Sequence, residues 1–484
     1  MTAVTDVDEV FQSYKKTIQS FKTVCDTLHD ISSYLNNAVQ RMETIMQPFI
    51  LSHSFGILPD DVLARVFELV DPVETPPNVL ASVCRRFRNI MLHLPRLWTH
   101  ISTVSSTRNI SDRLERSKEM GLDVEAVIDR MSSKRDISSK LDLLIHHAWR
   151  WRSLLLQFDD DRVGLPLLPA SEDTWKAVQL PMLHQLTIYR SRYPRPTHIG
   201  ENYDVPLVTD WDMPKLRSLK LTNIFPHHKS NSSLRSFSIK LRSMSSTIRF
   251  SRHAYEQLQF FLQTSVQLEE ITLDFVFAIF GRFVEHEPIH LPNLRALTFL
   301  LVVNYDFVGH DLAPMVNLIN TLKTPKLVRL TICLGHLRSF DAILALTRFF
   351  TGRQNDTDLR VLELEIAALN DSYTDIDILQ LIFTLLPQVE HVTLKGTFGS
   401  FVIPESWAIG NHRRVNLRTL TLYNFTSSNR KVAHELRHLF VDADGEKSTA
   451  TFPHFEKVIF SGCLPDDSYQ QYDPDVGGRF FEWL

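Results

Sequence analysis

One phrase recurs along most of the chain and constrains its fold more than any other feature of the 484-residue sequence. It reads LPMLHQLTI from residue 180, MPKLRSLKL from 213, LPNLRALTF from 291, TPKLVRLTI from 324 and LPQVEHVTL from 386. Looser copies are SLRSFSI (233), QLEEITL (267), DLRVLEL (358), NLRTLTL (416) and PHFEKVIF (453), with WRSLLL (151) as a candidate first copy. Most copies stand about 26 to 38 residues apart, an interval that suits one small structural unit per copy. The closing L-x-x-L-x-L alternates with period two, as a short strand with one buried face does. Amphipathic segments precede several copies: AYEQLQFFLQTSV (254–266), DLAPMVNLINTL (311–322), AILALTRFF (342–350), DILQLIFTLL (377–386) and KVAHELRHLF (431–440). Strands separated by helices run parallel, because each return needs a crossover. A single such unit cannot bury its own face, whereas stacked neighbours can. The expected fold is therefore α/β, an irregular solenoid with a parallel sheet over residues 151–465. A globular α/β domain with one parallel sheet is the alternative.

Residues between the buried leucines point to the opposite face of such a sheet. Tyr189, Lys220, Asp274, Glu363, Lys395 and Tyr423 are the candidate target-binding positions on it. The segment YRSRYPRPTH (189–198) adds Arg190, Arg192 and Arg195, a set able to grip an acidic or phosphorylated ligand; an ordinary surface loop is the plainer reading.

The first fifty residues follow a different rule. Phe11, Ile18, Cys25, Ser32, Val39 and Met46 form one column at seven-residue spacing, and Tyr14, Phe21, Leu28, Leu35, Met42 and Phe49 form another. A heptad sustained this long predicts one helix over residues 1–50 with a continuous apolar seam, ended by Pro48. The seam meets either a second copy, giving a homodimer, or the protein's own body. Its irregular, aromatic-rich content favours the body.

Between helix and repeats lies ILPDDVLARVFELV, Ile57 to Val70. Pro59 suits the first helical position, and Asp60 and Asp61 suit the positive end of the helix dipole. Val62, Leu63, Val66, Phe67 and Val70 make one apolar stripe. A proline-rich break, DPVETPPN, follows, then a second helix from about Val79 to Met91, then LPRLW ending at Trp98. A unit of under ~50 residues without disulfides or metals buries its stripes poorly by itself, so another surface must complete it.

The set LPDDVLARVFELV, SVCRRFRNI and PRLW resembles the F-box, specifically the F-box-like domains common in fungal proteins, over residues 54–102. Phe87 stands where that family often has tryptophan. The resemblance implies docking on the Skp-type adaptor of a cullin ubiquitin ligase, with Leu58, Pro59, Val62, Leu63, Val66, Phe87 and Trp98 as the adaptor-binding residues, by helix-in-groove recognition. The carboxy-terminal copies likewise resemble a leucine-rich-repeat array of the irregular kind that often follows an F-box. The asparagine usual after each strand has counterparts only at Asn223 and Asn424. Residues 103–150, including SDRLERSKEMGLDVEAVID (111–129) with its helix, Gly121 and strand, then form a connecting cap. The tail, 466–484, carries Phe480, Phe481 and Trp483 after Gly477-Gly478, and folds over the last repeat's edge or serves as a binding tail.

Nothing in the sequence points to bond chemistry or a cofactor. HEPIH (286–290) spells a zinc signature, but Pro288 breaks the helix that chemistry needs. The pairs His146-His147 and His227-His228 have no partner at ligand spacing, and Asp159-Asp160-Asp161 reads as a solvated turn. Cysteines at 25, 84, 333 and 463 match no metal or redox spacing, which suits a reducing compartment. The net charge of -4 makes no case for nucleic acid. The amino terminus lacks a secretory pattern and no apolar run approaches the ~18 residues of a membrane span, so the expected location is cytoplasmic or nuclear. The functional expectation is a non-enzymatic substrate-recognition subunit of an SCF-type ligase. Its rival is a repeat-based scaffold that self-associates through the heptads and has no ligase role.

Overall fold

The computed structural model describes residues 4–50, 57–70, 77–128, 133–158, 178–191, 211–226, 233–242, 248–250, 252–276, 278–280, 287–302, 313–335, 339–353, 356, 358–367, 378–396, 415–423, 452–461 and 481–483. The chain divides into two compact units, Met1–Trp98 and Thr99–Leu484.

The first unit opens with helix α1, Val4–Ile50. It runs two residues past Pro48, whose missing N–H removes one bond from the last turn. On its polar sides Thr17, Thr23 and Thr27 return their hydroxyls to carbonyls four residues back, at 2.8–3.0 Å. The seam is not folded onto the protein's own body, contrary to the preference drawn from its composition. Tyr14, Ile18, Phe21, Leu28, Leu35 and Met42 are all more than half exposed. Three short helices follow: α2, Asp60–Leu69; α3, Pro77–Val83; and α4, Arg85–Leu92, with a 3-10 turn at Pro95–Trp98. The single helix expected from Val79 to Met91 is thus two. Cys84 breaks it with an extended backbone (φ -157°, ψ 169°) and caps α4, its Sγ accepting from the Phe87 N–H at 3.4 Å.

The second unit is built on one parallel sheet of fourteen strands, each beside its predecessor in the chain. The strands are β1 (His100–Ser102), β2 (Leu122–Ile128), β3 (Trp151–Phe158), β4 (Gln185–Arg190), β5 (Ser218–Thr222), β6 (Ser236–Arg242), β8 (Glu270–Val276), β11 (Ala296–Val302), β13 (Arg329–Gly335), β14 (Val361–Ala367), β15 (His391–Gly396), β16 (Thr419–Tyr423), β17 (Lys457–Ser461) and β18 (Phe481–Trp483). Two small parallel pairs lie outside it: β7 (Ile248–Phe250) with β9 (Ala278–Phe280), and β10 (Ile289–His290) with β12 (Leu322–Lys323). Every phrase singled out in the sequence ends in a strand of the large sheet. The sheet begins earlier than the first phrase, however, at residues the sequence assigned to the helical unit and its connector. Its last strand comes from the aromatic tail, paired in parallel with β17.

Crossover helices appear where amphipathic segments were read: α5 (Thr107–Arg116), α6 (Lys134–Ile145), α7 (Arg252–Thr264), α8 (Ala313–Thr321), α9 (Ser339–Thr351) and α10 (Ile378–Leu385). The segment 431–440, Asn424, Arg192, Arg195, the Asp159–Asp161 run, His227-His228 and His286 lie outside the described residues. Glu287 and Pro288 are not helical and His290 is in a strand, as the proline requires.

Register explains the spacing. Leu154, Leu186, Leu219, Phe237, Ile271, Leu297, Leu330, Leu362, Val392, Leu420 and Val458 are partners in one unbroken row. A second buried row runs two residues further on, from Leu156 to Leu422. Rings from the crossovers pack on these rows: Phe261 of α7 lies 4.7 Å from Phe237, and Phe349 of α9 lies 5.4 Å from Phe299. A one-residue slip in any strand would carry its leucines to the other face.

Buried polar groups tie the turns. Asn223, just after β5, adopts the left-handed backbone (φ 58°) that asparagine tolerates. Its Nδ2 donates to the Arg190 carbonyl at 2.9 Å and its Oδ1 accepts from the Arg242 N–H at 2.7 Å, so one side chain joins the ends of three adjacent strands. Replacing it with alanine leaves both partners unsatisfied. Asn223→Ala is expected to lower the stability of this unit by about 2–4 kcal/mol, read as a shift in the urea midpoint, while Asn223→Asp, which keeps the acceptor, costs less.

Candidate functional site

In the helical unit, folding sorts the apolar residues into an inside and an outside. Leu63, Phe67, Phe87, Ile90, Met91, Leu97 and Trp98 form a core of their own, with Leu58, Leu80 and Cys84 against it. Phe67 and Phe87 meet edge to face with centroids 4.8 Å apart. The indole N–H of Trp98 donates to the Met91 carbonyl at 2.9 Å, so its burial leaves no orphan donor. Arg86 locks the start of α2 to the start of α4: its guanidinium holds Asp60 at 2.6 Å and also donates to the Leu58 carbonyl. Pro59 sits at the N-cap of α2, one residue before the helical position expected for it, and its carbonyl accepts the first helical bond from Leu63 at 3.1 Å.

The other apolar line of α2 stays outside. Val62 and Val66 are 41% and 42% exposed and Leu69 is 75% exposed, whereas Leu63 is 0%. Ile57, Val79 and Val83 are also exposed. The seven residues carried over from the resemblance therefore fall into two groups. Pro59, Val62 and Val66 present surface and Leu58 is half-buried. Leu63, Phe87 and Trp98 are interior residues that support the surface and do not form it, because the unit closes a small core without help. Ile57, Leu69, Val79 and Val83 extend the outer patch and were missing from the carried-over set. The i, i+4, i+7 spacing of Val62, Val66 and Leu69 is the signal that finds them.

On the sheet, all six candidate target positions lie on the face opposite the leucine rows. Lys220 and Glu363 belong to one row, and Tyr189, Asp274, Lys395 and Tyr423 to the next. They do not form one group. Asp274 is buried and ion-paired with Arg242 at 2.7 Å, so it is spent within the fold. Lys395 is paired with Glu363, which holds its ammonium above the usual lysine range, and its Nζ lies 5.9 Å from the centre of the Tyr423 ring. Thr331 reaches Glu363 at 3.5 Å and Cys333 reaches Glu365 at 3.7 Å. Burial, with the Glu365 charge next, pushes the Cys333 thiol up to about 12. It therefore stays protonated at neutral pH and is no nucleophile. Tyr189 and Lys220 stand several strands away.

Residues 55–99 match the F-box domain family. No curated protein matches the chain. The chain thus carries an F-box domain, and the described helices α2 to α4 with the Pro95–Trp98 turn are that domain. F-box domains bind Skp-type adaptors in SCF complexes, which gives the chain a substrate-adaptor role in general terms. F-box proteins are typically non-enzymatic adaptors.

The division into core and surface has a direct check. Phe87→Ala is expected to lower the stability of the amino-terminal unit by about 3–5 kcal/mol, while Val62→Ser and Val66→Ser change it by under ~1 kcal/mol. Thermal unfolding followed by circular dichroism on the isolated variants of the full chain reads both.

Proposed function

We propose that this chain is the substrate-recognition subunit of an SCF-type ubiquitin ligase: its F-box grips a Skp-type adaptor and its parallel-strand array holds a target protein. The observation that carries the reading is the outer line of α2. Val62, Val66 and Leu69 stand on a closed core with nothing of the described chain over them, in the segment that matches the F-box. An apolar helix face of this kind fits a partner's groove through a few anchors. Leu58 and Pro59 fix where α2 begins and so aim that face.

We further propose that the sheet is a leucine-rich-repeat array. The strands in chain order, the two leucine rows and the Asn223 bridge support this. Its open face is the target surface, with Glu363, Lys395 and Tyr423, together with Glu365 and Cys333, as its densest polar group. An anionic or hydroxyl-bearing partner group competes there with Glu363 for Lys395. Such a receptor does no bond chemistry. It raises the effective concentration of a target lysine near a charged conjugating enzyme. It would act in the cytoplasm or nucleus, where that machinery works.

Two measurements test this. Val62→Asp with Val66→Asp is expected to abolish co-purification of the Skp-type adaptor while far-UV circular dichroism is unchanged; retained binding would place the adaptor elsewhere. Lys395→Glu with Tyr423→Ala is expected to keep the adaptor and lose targets in proximity labelling. A labelling pattern identical to that of the unchanged chain would remove this face from the proposal.

A further inference from the structure

The helix α1 presents an apolar strip that no described part of the chain covers. Tyr14, Ile18, Phe21, Leu28, Leu35 and Met42 are 56–70% exposed, and Val24, Ile31 and Ile45 broaden the strip along its edge. Three features decide what covers it. The first is length: 47 residues of helix extend about 70 Å, more than twice the ~30 Å span of a small domain. The F-box helices cannot cover such a rod, and they are already occupied with their own core.

The second is period. On a straight helix a strict seven-residue repeat drifts by about 20° per heptad, hence by about 80° between Tyr14 and Met42. Only a helix that winds with it remains in contact with the whole strip. The third is area. Large apolar side chains carry about 60–120 Å² each, so joining two such strips removes roughly 1,200 Å² from water, within the range of about 1,200–2,000 Å² of stable interfaces.

We propose that α1 pairs with α1 of a second copy of this chain, antiparallel and centred near residue 30. Side-chain size selects both the partner and the direction. In this arrangement each column faces the other column reversed. Phe21 lies against Val39 of the second copy, Cys25 against Leu35, and Leu28 against Ser32, so a large residue meets a smaller one in each layer. In a parallel pair the same residues meet themselves. Phe21 then crowds Phe21, and Ser32 faces Ser32 across a gap, which costs packing in both layers. The antiparallel pair carries the two Ile50 ends, and with them the links to the two F-box domains, to opposite ends of the rod.

The test is the mass of the intact chain in solution, and it is independent of adaptor binding. Sedimentation at micromolar concentration is expected to give twice the 56.0 kDa chain mass. Phe21→Glu with Leu28→Glu is expected to return it to one chain while the adaptor still co-purifies, since these residues lie outside the F-box. The Leu35→Cys variant is expected to oxidise to a covalent dimer in which peptide mapping joins position 35 to Cys25. A single-chain mass for the unmodified protein overturns the pairing. So does a doubled mass that survives the two glutamates. A Cys25–Cys25 bridge in the unmodified chain overturns the antiparallel direction.

Discussion

The second unit depends on one constraint: the leucine rows must stay in register across the whole parallel sheet. No strand in it buries its face alone. Leu297 has Ile271 on one side and Leu330 on the other, and those lean on their own neighbours in turn. Parallel strands also need a crossover between them, and the crossovers supply the rings that close the row from outside, as Phe349 does over Phe299. The energy of the fold is therefore concentrated on one face. The alternate residues are released from that duty, and they are mostly β-branched and polar: Thr187, Thr272, Thr298, Thr331, Thr393 and Thr421 share a single row with Lys220 and Glu363. Threonine suits a half-covered strand and commits the surface to little. A surface that can change without touching the core is what a target-reading face requires.

The F-box solves the opposite problem, a core with too few residues. Seven buried side chains hold it, and directional polar bonds do the rest. Arg86 spans from α4 to Asp60 and Leu58, Trp98 bonds Met91, and the Cys84 thiolate or thiol sulfur caps α4. Those ties fix the axis of α2, so the outer line of Val62, Val66 and Leu69 is aimed by the same residues that stabilise the interior. Core and docking surface are adjacent residues, Val62 beside Leu63, and one cannot be rotated without moving the other.

Much of this was legible in the sequence because it is periodic. The period-two alternation placed the strands, and the same alternation put all six candidate target positions on one face. What periodicity cannot supply is a choice between adjacent lines of a helix. Val62-Leu63 and Val66-Phe67 are neighbours on one broad stripe, and the pattern alone does not say which line turns inward; Leu63, Phe87 and Trp98 were accordingly assigned to the surface although they are interior. Nor does it reveal a break such as Cys84, where the apolar spacing continues unchanged across two helices. The ion pair that withdraws Asp274 is long-range in sequence, with Arg242 on the neighbouring strand, and single-residue reading has no access to it. The first two strands were missed for a simpler reason: His100–Ser102 and Leu122–Ile128 do not carry the phrase.

Rigidity is the remaining requirement for a receptor that acts by holding a target in place, and two buried arginines provide it where the repeats lack regular turns. Arg150 donates to the carbonyls of Leu114 and Met120 and to the Ser117 hydroxyl, closing the end of α5. Arg353 donates to the Ile319 carbonyl at 2.7 Å, closing the end of α8, and pairs with Asp356 at 3.0 Å. Burial lowers the proton affinity of the Arg353 guanidinium and raises that of Asp356, and their pairing opposes both shifts. Helix ends leave four carbonyls without intrahelical partners, usually met by a glycine turn or water. Here a side chain from the next segment meets them, so each crossover is fastened to its successor as well as to the sheet. The cost of burying an arginine is offset only while every such bond holds, which makes the spacing of successive units an all-or-none property. The open face keeps its shape because the helices behind it cannot slide.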